Sequence, residues 1–110
     1  MSQDSILKTK SFDFAIRIIN LYKYLKKKHG EYIISQQVLK AGTAIGALIR
    51  EAEFAESRND FSHKLAISLK EANESVYWLE LLFATSFINK KMFDSIHSDA
   101  LELLKILHRV

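Results

Sequence analysis

Apolar residues recur along this chain at steps of three and four, in four stretches separated by short polar breaks. That period belongs to helices packed on a core. The first stretch predicts a helix over residues 12–29, opened by Ser11 as N-cap and stopped by Gly30. Its polar positions Asp13, Arg17, Asn20, Lys23 and Lys27 fall on one narrow stripe. Everything around that stripe is apolar, so this helix is expected to be buried over most of its girth. The second stretch predicts a helix over 36–57, capped by Ser35. Val38, Ala41, Ile45, Leu48, Ala52 and Ala55 form one packing seam, and Leu39, Gly42, Gly46 and Ile49 a second beside it.

The third helix is expected over 61–86, with Asn59 or Asp60 as cap. One face runs through Phe61, Leu65, Leu69, Ala72, Val76, Leu79 and Phe83. From Val76 to Ala84 only Glu80 is polar, and a helix apolar all round must be covered all round. Tyr77 and Trp78 stand about 100° apart, so they cannot share one core. One of them, with its neighbours Leu81 and Leu82, is expected to face another subunit or a partner. Asn89 caps a fourth, amphipathic helix over 90–109. Four helices with short connections predict an all-α, antiparallel up-down-up-down four-helix bundle, one domain over residues 1–110.

Gly42 and Gly46 interrupt an otherwise continuous helical pattern. Each costs about 1 kcal/mol relative to alanine in a helix interior. Two glycines four apart therefore predict close approach of a neighbouring backbone. The flanking charges favour a contact within the bundle over the membrane use of this spacing, and no lysine or strand context makes the stretch a phosphate loop.

Composition narrows the chemistry. There are 110 residues, no cysteine, no proline and three glycines, which excludes disulfides and thiolate metal sites. No apolar run reaches the roughly 18 residues of a membrane span, and Met1 to Lys10 lacks the apolar segment of a signal peptide. A cytoplasmic location is the expectation. The net charge of +3 is uneven: residues 1–30 hold seven basic groups against two acidic ones, a local +5. Lysines at a helix C-terminus complement the helix dipole. The same concentration also attracts nucleic acid. The candidate contacts are Arg17, Lys23, Lys26, Lys27 and Lys28.

Catalytic and metal chemistry find little support. Asp60-x-x-His63 and Asp94-x-x-His97 carry the residue types of a di-metal bundle site. In an antiparallel pair turning near residue 88, residue 96 stands level with about residue 80. His63 then lies about 25 Å away along the axis, so the two pairs cannot share an ion. The serines lack an adjacent base, and the four histidines scatter over the helices. No catalytic residue, metal site or cofactor is assigned.

Ala41-Gly42-Thr43-Ala44-Ile45-Gly46-Ala47, continued by Ile49-Arg50-Glu51-Ala52, resembles a signature of the 23S rRNA intervening-sequence proteins. These are also known as the S23 or four-helix-bundle protein family. Asp60-Phe61-Ser62-His63-Lys64-Leu65, then Leu69-Lys70-Glu71-Ala72, Glu74 and Tyr77-Trp78-Leu79-Glu80-Leu81-Leu82, resemble its second signature, and Lys10-Ser11-Phe12 its opening. The resemblance covers roughly residues 8–108. Ala41 and Ala44 stand where small hydroxyl residues are common, and Leu48 where asparagine is common.

The resemblance implies a bacterial four-helix bundle assembled into a ring-like homopentamer, with no established catalytic activity. Many relatives are encoded within insertions in 23S rRNA genes. A related branch, the accessory variability protein of diversity-generating retroelements, engages a reverse transcriptase and nucleic acid. The expectation is a non-enzymatic oligomer that binds RNA or DNA, or a reverse-transcriptase-like protein, through its basic first helix. The alternative is a protein-interaction scaffold without nucleic-acid binding.

Overall fold

The computed structural model describes the backbone of residues 3–110 and the side chains of residues 6–110; Met1 and Ser2, the start of the span read as one domain, lie outside the described residues. Four helices follow one another: α1 Gln3–His29, α2 Ile33–Glu53, α3 Arg58–Ala84 and α4 Lys90–His108. Each packs on the next, α4 closes back on α1, and the pairs α1/α3 and α2/α4 stand diagonally. The result is the expected antiparallel bundle, 44 × 23 × 18 Å. No described helix is long and apolar enough to cross a membrane.

Helix α1 begins well before residue 12. Leu7, Ser11, Phe14, Ile18, Leu21 and Leu25 alternate steps of four and three, and all are buried. Ser11 is therefore a seam position rather than a cap, and its hydroxyl donates to the Lys8 carbonyl. Small polar side chains satisfied by the preceding turn are compatible with a helix interior. Gly30 ends α1 with φ +63°, the left-handed conformation that favours glycine at a helix stop.

The start of α2 differs from expectation for a related reason. Ser35 is fully buried and donates to the Glu31 carbonyl. The capping group is the Glu31 carboxylate, which accepts from the backbone N–H of Ile33, Ile34 and Ser35 at 3.2, 3.1 and 2.8 Å. These are donors that an open helix end leaves without partners. At its other end α2 stops at Glu53 rather than residue 57. Ser57 caps α3 by accepting from the Asp60 N–H, and the Asp60 carboxylate reaches back to the Glu56 N–H. Asn59 and Asp60 thus lie in the first turn. Helix α3 ends at Ala84, ahead of Ser86 at φ +68°. Asn89 caps α4 by accepting from the Met92 N–H.

The glycines lie where α1 crosses α2. A Cβ on Gly42 would stand 2.7 Å from Ile18 Cγ1, and one on Gly46 would stand 3.1 Å from the Ser11 hydroxyl. On the opposite side of α2, the buried Ser68 hydroxyl of α3 donates to the Ile45 carbonyl at 3.0 Å. Small residues on both flanks bring α2 close to two neighbours at once. Phe14, Ile18, Val38, Ile45, Leu79, Leu82 and Leu103 fill the space between the helices.

Candidate nucleic-acid and assembly surfaces

The C-terminal end of α1 is rich in lysine because nothing apolar follows Leu25 before the turn. Lys23, Lys26, Lys27 and Lys28 are all exposed. Lys26 lies over the Tyr22 ring at 5.2 Å and Lys28 over the Tyr24 ring at 5.7 Å. Such contacts steady an ammonium without neutralising it. Among the described residues none of the four lysines forms an ion pair. The His29 ring packs edge-on between Tyr24 and Phe87, at 5.8 and 5.3 Å. That contact ties the end of α1 to the α3–α4 turn, beside an open cleft of about 400 Å³ lined by Tyr24, Lys28, His29, Phe83 and Phe87.

Two further cations join this end. Lys90 and Lys91 open α4 where α1 finishes, and both are exposed. Lys90 holds Asp94 at 2.6 Å. Their placement was available from the antiparallel order together with the Asn89 cap.

Arg17 stands apart from the lysines. Its guanidinium pairs with Asp99 and donates to the Ser95 hydroxyl at 2.8 Å, joining α1 to α4. It is a bridge within the bundle, and the polar stripe that contains it turns partly toward α4 rather than to solvent.

The outward face of α1 is apolar, contrary to the expectation of a helix buried over most of its girth. Phe12, Ile16 and Ile19 are 51%, 46% and 39% exposed. Each helix here has two neighbours, which cover about half its circumference. Of the third-helix candidates, Tyr77 is exposed and Leu81 half-buried, while Trp78 packs partly against the core with its Nε1 buried and unpartnered among the described residues. Leu82 is fully buried in the bundle. It points inward with Leu79, three residues before it, and cannot face a partner.

The Glu71 carboxyl is pushed above its ordinary value, first by burial and then by Glu74, against the opposite pull of Lys40 and Lys70. His97 meets Glu80 at 3.2 Å, which sets residue 97 level with residue 80 and leaves His63 toward the other end. Among the described residues no group of three metal-ligating side chains converges.

Fold and surface together define a small, closed, antiparallel bundle with one basic end. The family model for the 23S rRNA-intervening sequence protein matches residues 3–109, and the chain belongs to that family. It is similar to a protein of unknown function from the S23 ribosomal protein family of Bacteroides thetaiotaomicron VPI-5482, whose crystal structure is known at 1.70 Å. The two share 51% identity over 98% of this chain and 96% of that one, with a TM-score of 0.96. Among curated proteins none matches the chain.

Proposed function

We propose that this protein is a non-enzymatic, cytoplasmic oligomer that binds RNA or DNA, or a nucleic-acid-processing partner, through its lysine-rich end. The observation that carries this reading is the cluster Lys23, Lys26, Lys27 and Lys28, exposed and unpaired among the described residues, with Lys90 and Lys91 beside it. Arg17, held by Asp99, leaves the set. Phosphate binding needs exposed cations that give up counterions on contact, which makes affinity fall steeply with salt. Assembly into a ring, as the family resemblance implies, would repeat a modest patch and raise its avidity.

The test is fluorescence anisotropy with labelled single-stranded and duplex RNA and DNA at several salt concentrations. Reversing Lys26, Lys27 and Lys28 to glutamate should abolish binding at low salt. Truncating the same three to alanine should lower the salt slope by about 2–3, roughly one per lost phosphate contact. Salt-insensitive binding, or none by the unaltered protein at low salt, would sink the reading. The second reading is an interaction scaffold without nucleic acid, favoured by the exposed stripe of Phe12, Ile16 and Ile19. Native purification that returns a stable protein partner free of nucleic acid would support it.

A further inference from the structure

The cleft at the basic end is lined by rings as well as by a cation. Tyr24 and His29 come from the end of α1, Phe83 from the end of α3 and Phe87 from the turn that follows it. Phe83 stacks on Phe93 at 4.5 Å with the planes 11° apart, and Phe93 stacks on His97 at 4.4 Å. Two near-parallel rings at that distance cannot share one face of Phe93, so Phe83 is the end ring of a stack of three. It is 37% exposed, and no further ring stacks on it among the described residues.

The polar groups around these rings favour an anion. The Lys28 ammonium lies over the Tyr24 ring and lines the cleft. Asn89 gives its side-chain oxygen to the Met92 N–H, which leaves its NH2 group as a donor at the rim. Lys91, two residues on, forms no ion pair among the described residues. The carboxylates of this end are already engaged. Glu31 accepts the first amides of α2, Lys90 holds Asp94, and Glu80 meets His97. At about 400 Å³ the cleft has the size of a small-ligand site, about 300–1,000 Å³. It does not end blind: a groove of about 260 Å³ between α1 and α4 shares Tyr24 and Ile88 with it. A flat aromatic group joined to phosphate matches rings and free cations together, whereas a neutral ring or a bare phosphate matches only one of them.

We propose that this cleft takes an unpaired base of a single nucleic-acid strand, stacked on Phe83, with Lys28 and Lys91 serving the flanking phosphates. Aromatic platforms beside cations hold single strands with little regard to sequence, because every base has a π face. In a duplex those faces are covered by the neighbouring base pairs, and exposing one costs unstacking and unpairing. A duplex would therefore meet the lysines alone. This inference rests on the nucleic-acid binding in the proposed function and adds which part of the nucleic acid is gripped, and where.

The experiment measures binding of the full chain to a labelled single strand, to the same strand carrying abasic sites, and to its duplex. It uses whichever of RNA or DNA the unaltered protein holds more tightly. The single strand should bind more tightly than the duplex, although the duplex carries the denser charge. Removing the bases while keeping the phosphates should weaken binding by about 5-fold or more, the lower end for one stacked base, and leave the salt slope unchanged. Phe83→Leu keeps an apolar side chain and removes the ring. With its circular dichroism spectrum and cooperative melting retained, it should bind the intact strand about 5-fold more weakly and the abasic strand with nearly unchanged affinity. An abasic strand bound as tightly as the intact one, or a duplex bound as tightly as the single strand, overturns the base cleft while leaving the lysine reading standing. Equal losses on both strands overturn the stacking role of Phe83. No binding of any probe at low salt overturns the proposed function beneath it. The abasic comparison uses the unaltered protein, so it decides even where Phe83→Leu fails to fold.

Discussion

Replacing Gly42 by alanine sets two known effects against each other at one atom. Alanine gains about 1 kcal/mol over glycine in a helix interior. Against that, the added Cβ would stand 2.7 Å from Ile18 Cγ1, 2.9 Å from Cγ2 and 3.2 Å from Cβ. Ile18 is fully buried and branched at Cβ, so both γ carbons press on the same spot and a turn of χ1 does not clear it. Overpacking of this kind costs about 1–3 kcal/mol. The clash falls on the stiff part of the side chain, so the upper half of that range applies. The net expectation is a loss of about 1–2 kcal/mol, or about 4–8 °C in Tm for a chain of this size. Melts must be compared at one protein concentration, since association would stabilise the folded state by mass action.

Gly46→Ala is the control. Its Cβ would meet the Ser11 hydroxyl at 3.1 Å and the Ser11 backbone carbon at 3.5 Å. The hydroxyl can turn, so the cost should nearly cancel the gain in helix propensity. A double-mutant cycle closes the argument. Ile18→Ala removes both γ carbons, so in that background Gly42→Ala should lose most of its penalty, a coupling of about 1 kcal/mol or more. If Gly42→Ala melts at or above the wild-type temperature, or if the two changes are additive, close approach is not the reason for the glycine.

Two further changes test smaller parts of the structure. Glu31→Ala removes the acceptor for three amides at the start of α2 and should cost about 1–2 kcal/mol. Hydrogen exchange of Ile34 and Ser35 should accelerate, and unchanged protection would refute the capping role. Glu71→Gln should raise Tm at pH 7, because a carboxyl held above its ordinary 4.5 makes the folded state less stable as pH rises through that window. The gain should shrink as pH falls to 4.5 and below, and a gain of equal size at pH 4 would remove burial of the charge as its cause.

What the sequence made legible follows from locality. The four helices, the Gly30 stop, the Asn89 cap and the level of α4 against α3 depend on residues near one another in the chain. The errors at the starts of α1 and α2 have one source. Ser11 and Ser35 look like caps, but each bonds to a carbonyl of the preceding turn and is buried. A serine on a seam and a serine at a helix end are alike in sequence. The capping groups were Glu31 for α2 and Ser57 for α3, with Asp60 reaching back to the Glu56 N–H. Arg17 was misplaced for the converse reason: its partner Asp99 lies 82 residues away, and periodicity does not say which helix comes alongside.

The apolar flank of α1 was present in the pattern but was assigned to the core. Leu7, Phe14, Ile18, Leu21 and Leu25 already fill the inward face, so Phe12, Ile16 and Ile19 have no neighbour left within the chain. The inference applied to Val76–Ala84 holds equally for α1: a helix in a four-membered ring has two neighbours, and apolar residues beyond that half need an outside surface. Applied to both helices, it changes the kind of assembly expected. One surplus patch suits a two-fold contact, in which a surface meets its own copy. Two surplus patches on diagonal helices, Phe12, Ile16 and Ile19 on α1 and Tyr77 with Leu81 on α3, also allow a contact between unlike faces.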